Sequence, residues 1–180
     1  LIILDNKFEH FSKSNEQLEE TIISNSLSET NELGLRIGEN LSNGIIILLS
    51  GDLGAGKTEL VRSIVKGSKS DGFVRSPTFV LINNYEGPVN ITHCDFYRME
   101  EGLEAEEIGI EEYFHSDGIC VVEWADRFES IFQLDHLAIK IDWNEEGPSS
   151  NKRRIQLTSK GSRHAKLIND VIDSESHKII

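Results

Sequence analysis

The segment from residue 45 to residue 67 constrains the fold of this chain more than any other. It reads IIILLSGDLGAGKTELVRSIVKG: five aliphatic residues precede a glycine-rich stretch, and the helical pattern that follows ends at Gly67. A continuous aliphatic run of this kind is typical of a parallel strand that is covered on both faces. Strand, glycine-rich loop and helix in this order predict an α/β fold with the loop at one edge of a buried sheet.

The glycine-rich stretch has the residue types and spacing of a phosphate-binding loop (P-loop). Residues 51 to 58, GDLGAGKT, match the pattern G-x-x-x-x-G-K-[ST] in full. Gly51, Gly54 and Gly56 allow a tight turn that aims backbone N–H groups at a phosphate, and the start of the following helix adds partial positive charge. We expect Lys57 to reach the β- and γ-phosphates of a nucleotide and the Thr58 hydroxyl to bind Mg²⁺.

Further strands and helices are predicted on both sides of this segment. A helix is expected to begin at an N-cap, Ser28 or Thr30, and to end before Gly44. Apolar patterns predict strands at 79–85, 91–95, 118–124, 137–143 and 153–159, and helices at 103–114 and 163–173. Together these predict a P-loop NTPase-like three-layer sandwich with a mixed, mostly parallel central sheet flanked by helices.

The chain length predicts one domain, because 180 residues can bury a single sizeable core. Residues 1–24 are polar with scattered apolar positions, and we expect them to form an N-terminal extension of uncertain order. Residues 25–180 are predicted to form a single P-loop ATPase domain.

The formal net charge is −13. This argues against autonomous nucleic-acid binding, because contacts to phosphate dominate such affinity. It does not exclude a nucleotide site, because exposed charges beyond about 8 Å are largely screened in physiological salt. Residues 100–112 hold seven glutamates, whereas 147–169 hold basic residues and no acid. Each patch is either a solvated surface or a docking surface for a partner.

The location predicted from the sequence is cytoplasmic, with no membrane association. The longest aliphatic run has five residues, far below the roughly 20 that cross a bilayer. The first residues lack the features of a signal peptide. Cys94 and Cys120 lie in apolar segments outside any C-x-x-C pair, which predicts buried, reduced thiols.

A P-loop needs a further carboxylate to hold the metal shell and to orient water for hydrolysis. Glu123 follows four apolar residues, which favours it as the magnesium ligand. Asp95 ends a more polar strand and is predicted to be a metal, water or switch residue, with a helix cap or an ion pair to Arg98 as the alternative. His93 is left open between a structural histidine and a base. The predicted catalytic residues are Lys57, Asp95 and Glu123.

The nucleotide is predicted to be ATP. A guanine-reading N-K-x-D motif is expected late in the chain of a GTPase, but the one Asn-Lys-Phe stretch lies at residues 6–8, upstream of the P-loop. Trp124, directly after Glu123, is left open between a cover for the nucleotide and a closure of the sheet edge. Pro77 and Thr78 form either a phosphate-sensing segment or a plain turn.

Four stretches of this chain closely resemble one family of small P-loop proteins. These stretches are GDLGAGKTELVR, SPTFVLINNY, HCDFYR and GICVVEWADR. They resemble motifs of the bacterial TsaE family, also called YjeE, and they occur in the same order and with similar gaps. This family is the P-loop ATPase of tRNA threonylcarbamoyladenosine biosynthesis, and the likeness runs from about residue 26 to residue 158.

The resemblance implies a protein that binds ATP or ADP with Mg²⁺ and hydrolyses ATP weakly. It also implies that the protein acts together with a TsaB–TsaD-type core complex, which transfers a threonylcarbamoyl group to adenosine 37 of tRNA. The protein would then contact tRNA only through that complex. Thr58 and Glu123 match the family's magnesium residues. The family's nucleotide contacts match Ser26, Gly54, Ala55, Gly56, Lys57, Thr58, Glu59 and a late arginine, assigned to Arg154 with Arg153 as the alternative. Glu59 departs from the Thr or Ser that is frequent there.

Two other functions are compatible with the residues alone. A small-molecule kinase would need an acceptor pocket and a lid with several arginines, and the arginines here are scattered along the chain. A non-hydrolysing, nucleotide-sensing interaction module would use the acidic helix predicted at 103–114 to bind a partner.

Overall fold

A computed structural model of the protein describes residues 17–72, 74–77, 80–99, 112, 114, 118–131, 133–144, 147 and 150–176. Seven strands and three helices can be delimited within these ranges, together with a 3-10 segment at Ala125–Ile131. The strands are β1 (Glu19–Ser24), β2 (Ile46–Ser50), β3 (Ile82–Tyr85), β4 (Ile91–Asp95), β5 (Ile119–Glu123), β6 (His136–Trp143) and β7 (Arg153–Lys160). The helices are α1 (Leu27–Glu39), α2 (Lys57–Gly67) and α3 (Ser162–Ser176).

The seven strands form one mixed sheet in the order β1-β7-β6-β2-β5-β4-β3. β2 pairs in parallel with β6 and with β5, and β5 pairs in parallel with β4. β3, β7 and β1 join antiparallel to their neighbours. This confirms the α/β class and the mixed sheet. The carboxyl ends of β2, β5 and β4 meet at one edge, where open α/β sheets bind their ligands.

The central strand β2 is buried on both faces, as its aliphatic run predicts. Ile47 and Leu49 pack with all three helices in the larger part of the core. Ile46 and Leu48 face the other side, where they belong to a cluster with aromatic residues and both cysteines. Cys94 and Cys120 are free and buried, as predicted.

Close packing of α1 against α2 fixes the helix that begins with the P-loop lysine. A Cβ atom at Gly38 would lie 2.1 Å from the carbonyl oxygen of Ile64, and one at Gly34 would lie 2.5 Å from Cβ of Ser63. Both distances are far below van der Waals contact, so α1 carries glycine where α2 crosses it. The two glycines therefore allow the backbones of α1 and α2 to approach closely.

The N-terminal boundary differs from the sequence prediction. Residues 19–24, assigned to an extension, form β1 and pair with β7 from Glu19↔Thr158 to Ser24↔Arg153. The backbone N–H of Leu18 also donates to the Ser159 hydroxyl at 2.8 Å. The pattern of β1 was missed because its partner lies more than 120 residues along the chain. Residues 1–16 lie outside the described residues.

Two local element boundaries also differ. The N-cap of α1 is Ser26, not Ser28 or Thr30, and its side chain accepts a hydrogen bond from Glu29 N. β3 begins at Ile82, not at residue 79, because Leu81 has a φ of 67° and cannot continue a strand. The bounds of β4 to β7 and of α3 closely match the predictions. Most of the helix predicted at 103–114 lies outside the described residues, as do Thr78 and Phe79.

Within the described part of the chain, none of the helices has the length and apolar character that a transmembrane span requires.

Candidate functional site

The loop from Gly51 to Gly56 joins the end of β2 to the start of α2. Gly51, Gly54 and Gly56 have φ values of 131°, 82° and 114°, a region that favours glycine. A Cβ atom at Gly51 would lie 2.1 Å from the Ile141 carbonyl oxygen of β6, so this position also has no room for a side chain. Among the described residues, no side chain caps the start of α2. Its first N–H groups are therefore not occupied by a capping side chain, which leaves them available to the anion that the P-loop pattern predicts.

Lys57 is folded back onto its own loop. Its Nζ donates to the carbonyl oxygens of Gly51, at 2.6 Å, and of Asp52, at 3.0 Å. The same atom lies 3.6 Å from the ring centroid of Trp124, and the side chain is buried. Burial lowers the pKa of Lys57, and the nearby acids, Glu123 first, oppose that shift. To bind phosphate, Lys57 must exchange its two carbonyl partners.

Thr58 and Glu123 form the other half of the site. Glu123 ends β5, next to Leu49 of β2, and Thr58 lies in the first turn of α2. The Thr58 hydroxyl donates to Oε2 of Glu123 at 3.0 Å. A hydroxyl and a carboxylate in contact are two of the oxygen ligands that Mg²⁺ takes, with the rest supplied by water and phosphate. Accordingly, no cluster of three acidic, His or Cys side chains suited to a metal occurs among the described residues.

The second oxygen of Glu123 is also engaged. His93 on β4 is fully buried, and its Nε2 lies 2.9 Å from Oε1 of Glu123. The carboxylate of Glu123 is therefore held between the imidazole on one side and the Thr58 hydroxyl on the other.

Asp95 lies beside Glu123 in the register of β4 and β5. Its Oδ1 accepts a hydrogen bond from Tyr97 N at 2.9 Å, and its Oδ2 accepts one from the Ser76 hydroxyl at 2.8 Å. Asp95 thus ties the segment before Pro77 to the end of β4. Its predicted role as a metal, water or switch residue stays a prediction.

Trp124 covers the lysine in a strained backbone conformation. Its φ is 62°, which is uncommon for a residue other than glycine. The ring of Tyr97 lies 5.0 Å from the Trp124 ring, centroid to centroid. Such strain persists only where surrounding contacts enforce it, and it concentrates at functional sites.

Arg153, rather than Arg154, reaches the P-loop. Its Nε donates to the Ala55 carbonyl oxygen at 2.8 Å, and its guanidinium carbon lies 4.0 Å from the ring centroid of Trp143. Arg154 is exposed, and the alternation along β7 puts it on the opposite face from Arg153. The structure thus favours Arg153 over Arg154 as the late arginine at the P-loop, and the contact of such an arginine with nucleotide stays a prediction. The alternation along β7 was the sequence signal that distinguishes the two arginines, because Ile155 and Leu157 are apolar and share the face of Arg153.

Two other predicted nucleotide contacts have local partners. The Ser26 side chain caps α1, and Glu59 forms an ion pair with Arg62 one turn along α2. The contact of each with nucleotide stays a prediction.

Sequence comparison places these residues in a known family. The family model described as threonylcarbamoyl adenosine biosynthesis protein TsaE matches residues 24–155, which include the P-loop, Glu123 and Arg153. The chain belongs to the TsaE family. It is 37% identical over 129 residues to the TsaE protein of Bacillus subtilis, covering 71% of this chain and 78% of that protein. It is also 37% identical over 114 residues to the TsaE protein of Haemophilus influenzae, covering 63% and 69% respectively.

The fold agrees with this assignment to the TsaE family. The structure is similar to a crystal structure of Bacillus subtilis YdiB, with a TM-score of 0.72 and 28% sequence identity. The match covers 91% of this chain and 99% of that one. The similarity therefore extends over most of the chain and is not limited to the P-loop.

Sequence reasoning missed Trp143 as a contributor to this TsaE-type site, and it left the role of His93 open. Trp143 forms the stacking surface for Arg153, and His93 bonds to the carboxylate of Glu123. The position of Trp143 at the end of β6, beside the end of β2, was a signal that could have identified it. For His93 the signal was its place two residues before Asp95, on the same face of β4.

Proposed function

We propose that the protein binds ATP with Mg²⁺ and hydrolyses it slowly, in the cytoplasm, as a step in tRNA threonylcarbamoyladenosine biosynthesis. The observation that carries this proposal is the 3.0 Å contact between the Thr58 hydroxyl and the Glu123 carboxylate, directly beside a complete P-loop. Family membership supports the biosynthetic role, because curated relatives are named for that process.

Phosphate binding uses the loop backbone, the start of α2 and Lys57. The N–H groups between Gly51 and Thr58 surround the phosphates, and Lys57 transfers its N–H donors from two carbonyl oxygens to phosphate oxygens. Its hydrogen-bond partners are main-chain oxygens of the same loop, so the exchange breaks no hydrogen bond to a distant segment.

Thr58 and Glu123 would hold Mg²⁺ next to the phosphate-binding loop. The ion would stabilise the negative charge that develops during phosphoryl transfer. Glu123 supplies the carboxylate, because its Oε2 already faces Thr58. Each oxygen of Asp95 already accepts one hydrogen bond, from Ser76 or from the amide of Tyr97, and its remaining lone pairs could orient a water.

We propose a TsaB–TsaD-type core complex as the partner, with tRNA contacted through that complex. The net charge of −13 supports this indirect contact, because an acidic chain lacks the counterion-release term of autonomous RNA binding. The resemblance of four motifs to the TsaE family supports the choice of partner.

Calorimetry with ATP and Mg²⁺ on the wild type and on Lys57→Ala tests the proposal. We expect Lys57→Ala to weaken ATP binding by about 100-fold or more, because charge-assisted hydrogen bonds contribute about 1.5–3 kcal/mol each. Lys66→Ala is the matched control, because Lys66 lies on the same helix but is exposed. Unchanged affinity in Lys57→Ala would contradict the phosphate site. ATP turnover that stays at background with TsaB, TsaD and tRNA present would instead favour a nucleotide-sensing module.

A further inference from the structure

His93 is placed where it can act on the metal half of the site without touching the metal or the nucleotide. It is fully buried in the middle of β4, and Val121 of β5 is its partner in the strand register. Its Nε2 lies 2.9 Å from Oε1 of Glu123. Oε2 of the same carboxylate lies 3.0 Å from the Thr58 hydroxyl. The three side chains therefore form one chain of contacts, His93–Glu123–Thr58.

The protonation pattern of His93 follows from its surroundings. Its Nδ1 is buried and has no hydrogen-bond partner among the described residues. A proton on Nδ1 would leave a buried donor unsatisfied and would make Nε2 an acceptor facing a carboxylate, which only accepts. The arrangement is satisfied when the proton is on Nε2 and is donated to Oε1.

We propose that His93 is a positioning residue for the magnesium ligand. Its Nε2–H holds Oε1 of Glu123, so that the carboxylate cannot rotate and Oε2 remains directed at Thr58 and the ion. Carboxylate ligands of metals are commonly fixed by such a hydrogen bond, and its loss typically reduces metal affinity or activity 10- to 100-fold. This inference rests on the proposed ATP and Mg²⁺ site, and it assigns to His93 a role other than a base.

Two substitutions separate this role from simple packing. In His93→Gln the amide nitrogen can occupy the position of Nε2 and still donate to Glu123. In His93→Asn the amide nitrogen corresponds to Nδ1 and stops short of the carboxylate. Both replace a buried ring by a smaller amide, so both test packing, but only one retains the donor. His136→Asn is the control for a histidine outside the site. His136 is the first residue of β6, at the opposite end of the parallel strands from Glu123.

The measurement is ATP affinity by calorimetry, in Mg²⁺ and in EDTA, on the full chain. The gain from Mg²⁺ is the ratio of the ATP affinity in Mg²⁺ to the ATP affinity in EDTA. For His93→Asn we expect this gain to fall about tenfold or more, whereas the ATP affinity in EDTA is retained. For His93→Gln and His136→Asn we expect a gain like that of the wild type. The proposal would be overturned if His93→Gln and His93→Asn reduced the Mg²⁺-dependent gain in ATP affinity equally. It would also be overturned if His93→Asn did not reduce that gain. Absence of ATP binding, or of any Mg²⁺ effect, in the wild type would instead refute the proposed function.

A second measurement does not depend on how well the variants fold. Long-range ¹⁵N–¹H NMR spectra of the wild-type chain report which imidazole nitrogen of His93 carries the proton. We expect Nε2 to be protonated and Nδ1 to be bare. A proton on Nδ1 with Nε2 bare would overturn the proposal, because His93 could then not donate to Glu123.

Discussion

The two halves of the proposed nucleotide site differ in what their side chains contact. In the metal half, Thr58 and His93 already engage the two oxygens of Glu123. In the phosphate half, Lys57 is bonded to Gly51 and Asp52 of its own loop, beneath the ring of Trp124.

The difference follows from where each half is anchored. Glu123 and His93 lie on buried neighbouring strands, so the sheet register fixes their separation. Lys57 has a long side chain in a loop-to-helix junction, and its partners are main-chain oxygens that nucleotide can replace. In the proposed site the metal half would therefore set the position of the ion in advance, whereas the phosphate half would have to open for nucleotide. Pre-organisation of the metal half reduces the conformational entropy that is lost on binding.

The largest effect that would test this comparison is expected for Glu123→Ala. We expect ATP turnover in Mg²⁺ to fall about 100-fold, because loss of a metal ligand removes several kcal/mol of charge stabilisation. ATP affinity in EDTA should be retained, because the phosphate half is intact, and circular dichroism should show a preserved fold. Unaltered turnover would show that the metal half is not built around Glu123.

An intermediate effect is expected for Arg153→Ala. The substitution removes a charge-assisted hydrogen bond to the Ala55 carbonyl oxygen and the stacking on Trp143. We expect ATP affinity to fall about tenfold, since one such bond contributes about 1.5–3 kcal/mol. Arg154→Ala is the matched control, because the neighbouring side chain is exposed on the other face. Equal losses in both variants would argue against a specific anchor on the P-loop.

The smallest effect is expected for Trp124→Leu, and its sign is informative. Loss of the ring removes a cation–π contact that holds Lys57 in its nucleotide-free position. We expect ATP affinity to rise about threefold, a modest part of what such a contact contributes. Trp143→Leu should act in the opposite direction, because it removes support from Arg153. Weaker ATP binding in Trp124→Leu would show that Trp124 contacts the nucleotide instead of restraining the lysine.

The local parts of this site were predictable from the sequence. The β2–loop–α2 unit is encoded within 23 consecutive residues, 45–67, and the glycines leave little choice of conformation. Glu123 was predictable because an acid directly after a buried parallel strand must lie at the edge where the P-loop lies. The hydrophobic alternation of β6 and β7 similarly defined both strands.

Contacts between distant segments were not predictable in the same way. The bond between His93 and Glu123 spans 30 residues and depends on which strands are neighbours. β1 is a short strand whose character depends on its pairing with β7, so its pattern alone resembled an extension. The N-cap of α1 was ambiguous because three hydroxyl residues lie within five positions, and only the observed Ser26 bond to Glu29 N selects one.

In the proposed site, Thr58 and Glu123 form a ready metal site beside a P-loop lysine that must move. A crystal structure of the full chain with Mg²⁺ and a non-hydrolysable ATP analogue tests it most directly. We expect both side chains to bind a single ion, either directly at about 2.0–2.1 Å or through one bound water. We also expect that Lys57 Nζ has left the Gly51 carbonyl oxygen for a phosphate oxygen. An ion bound away from Glu123, or a nucleotide bound with Lys57 still on its own loop, would contradict this proposal.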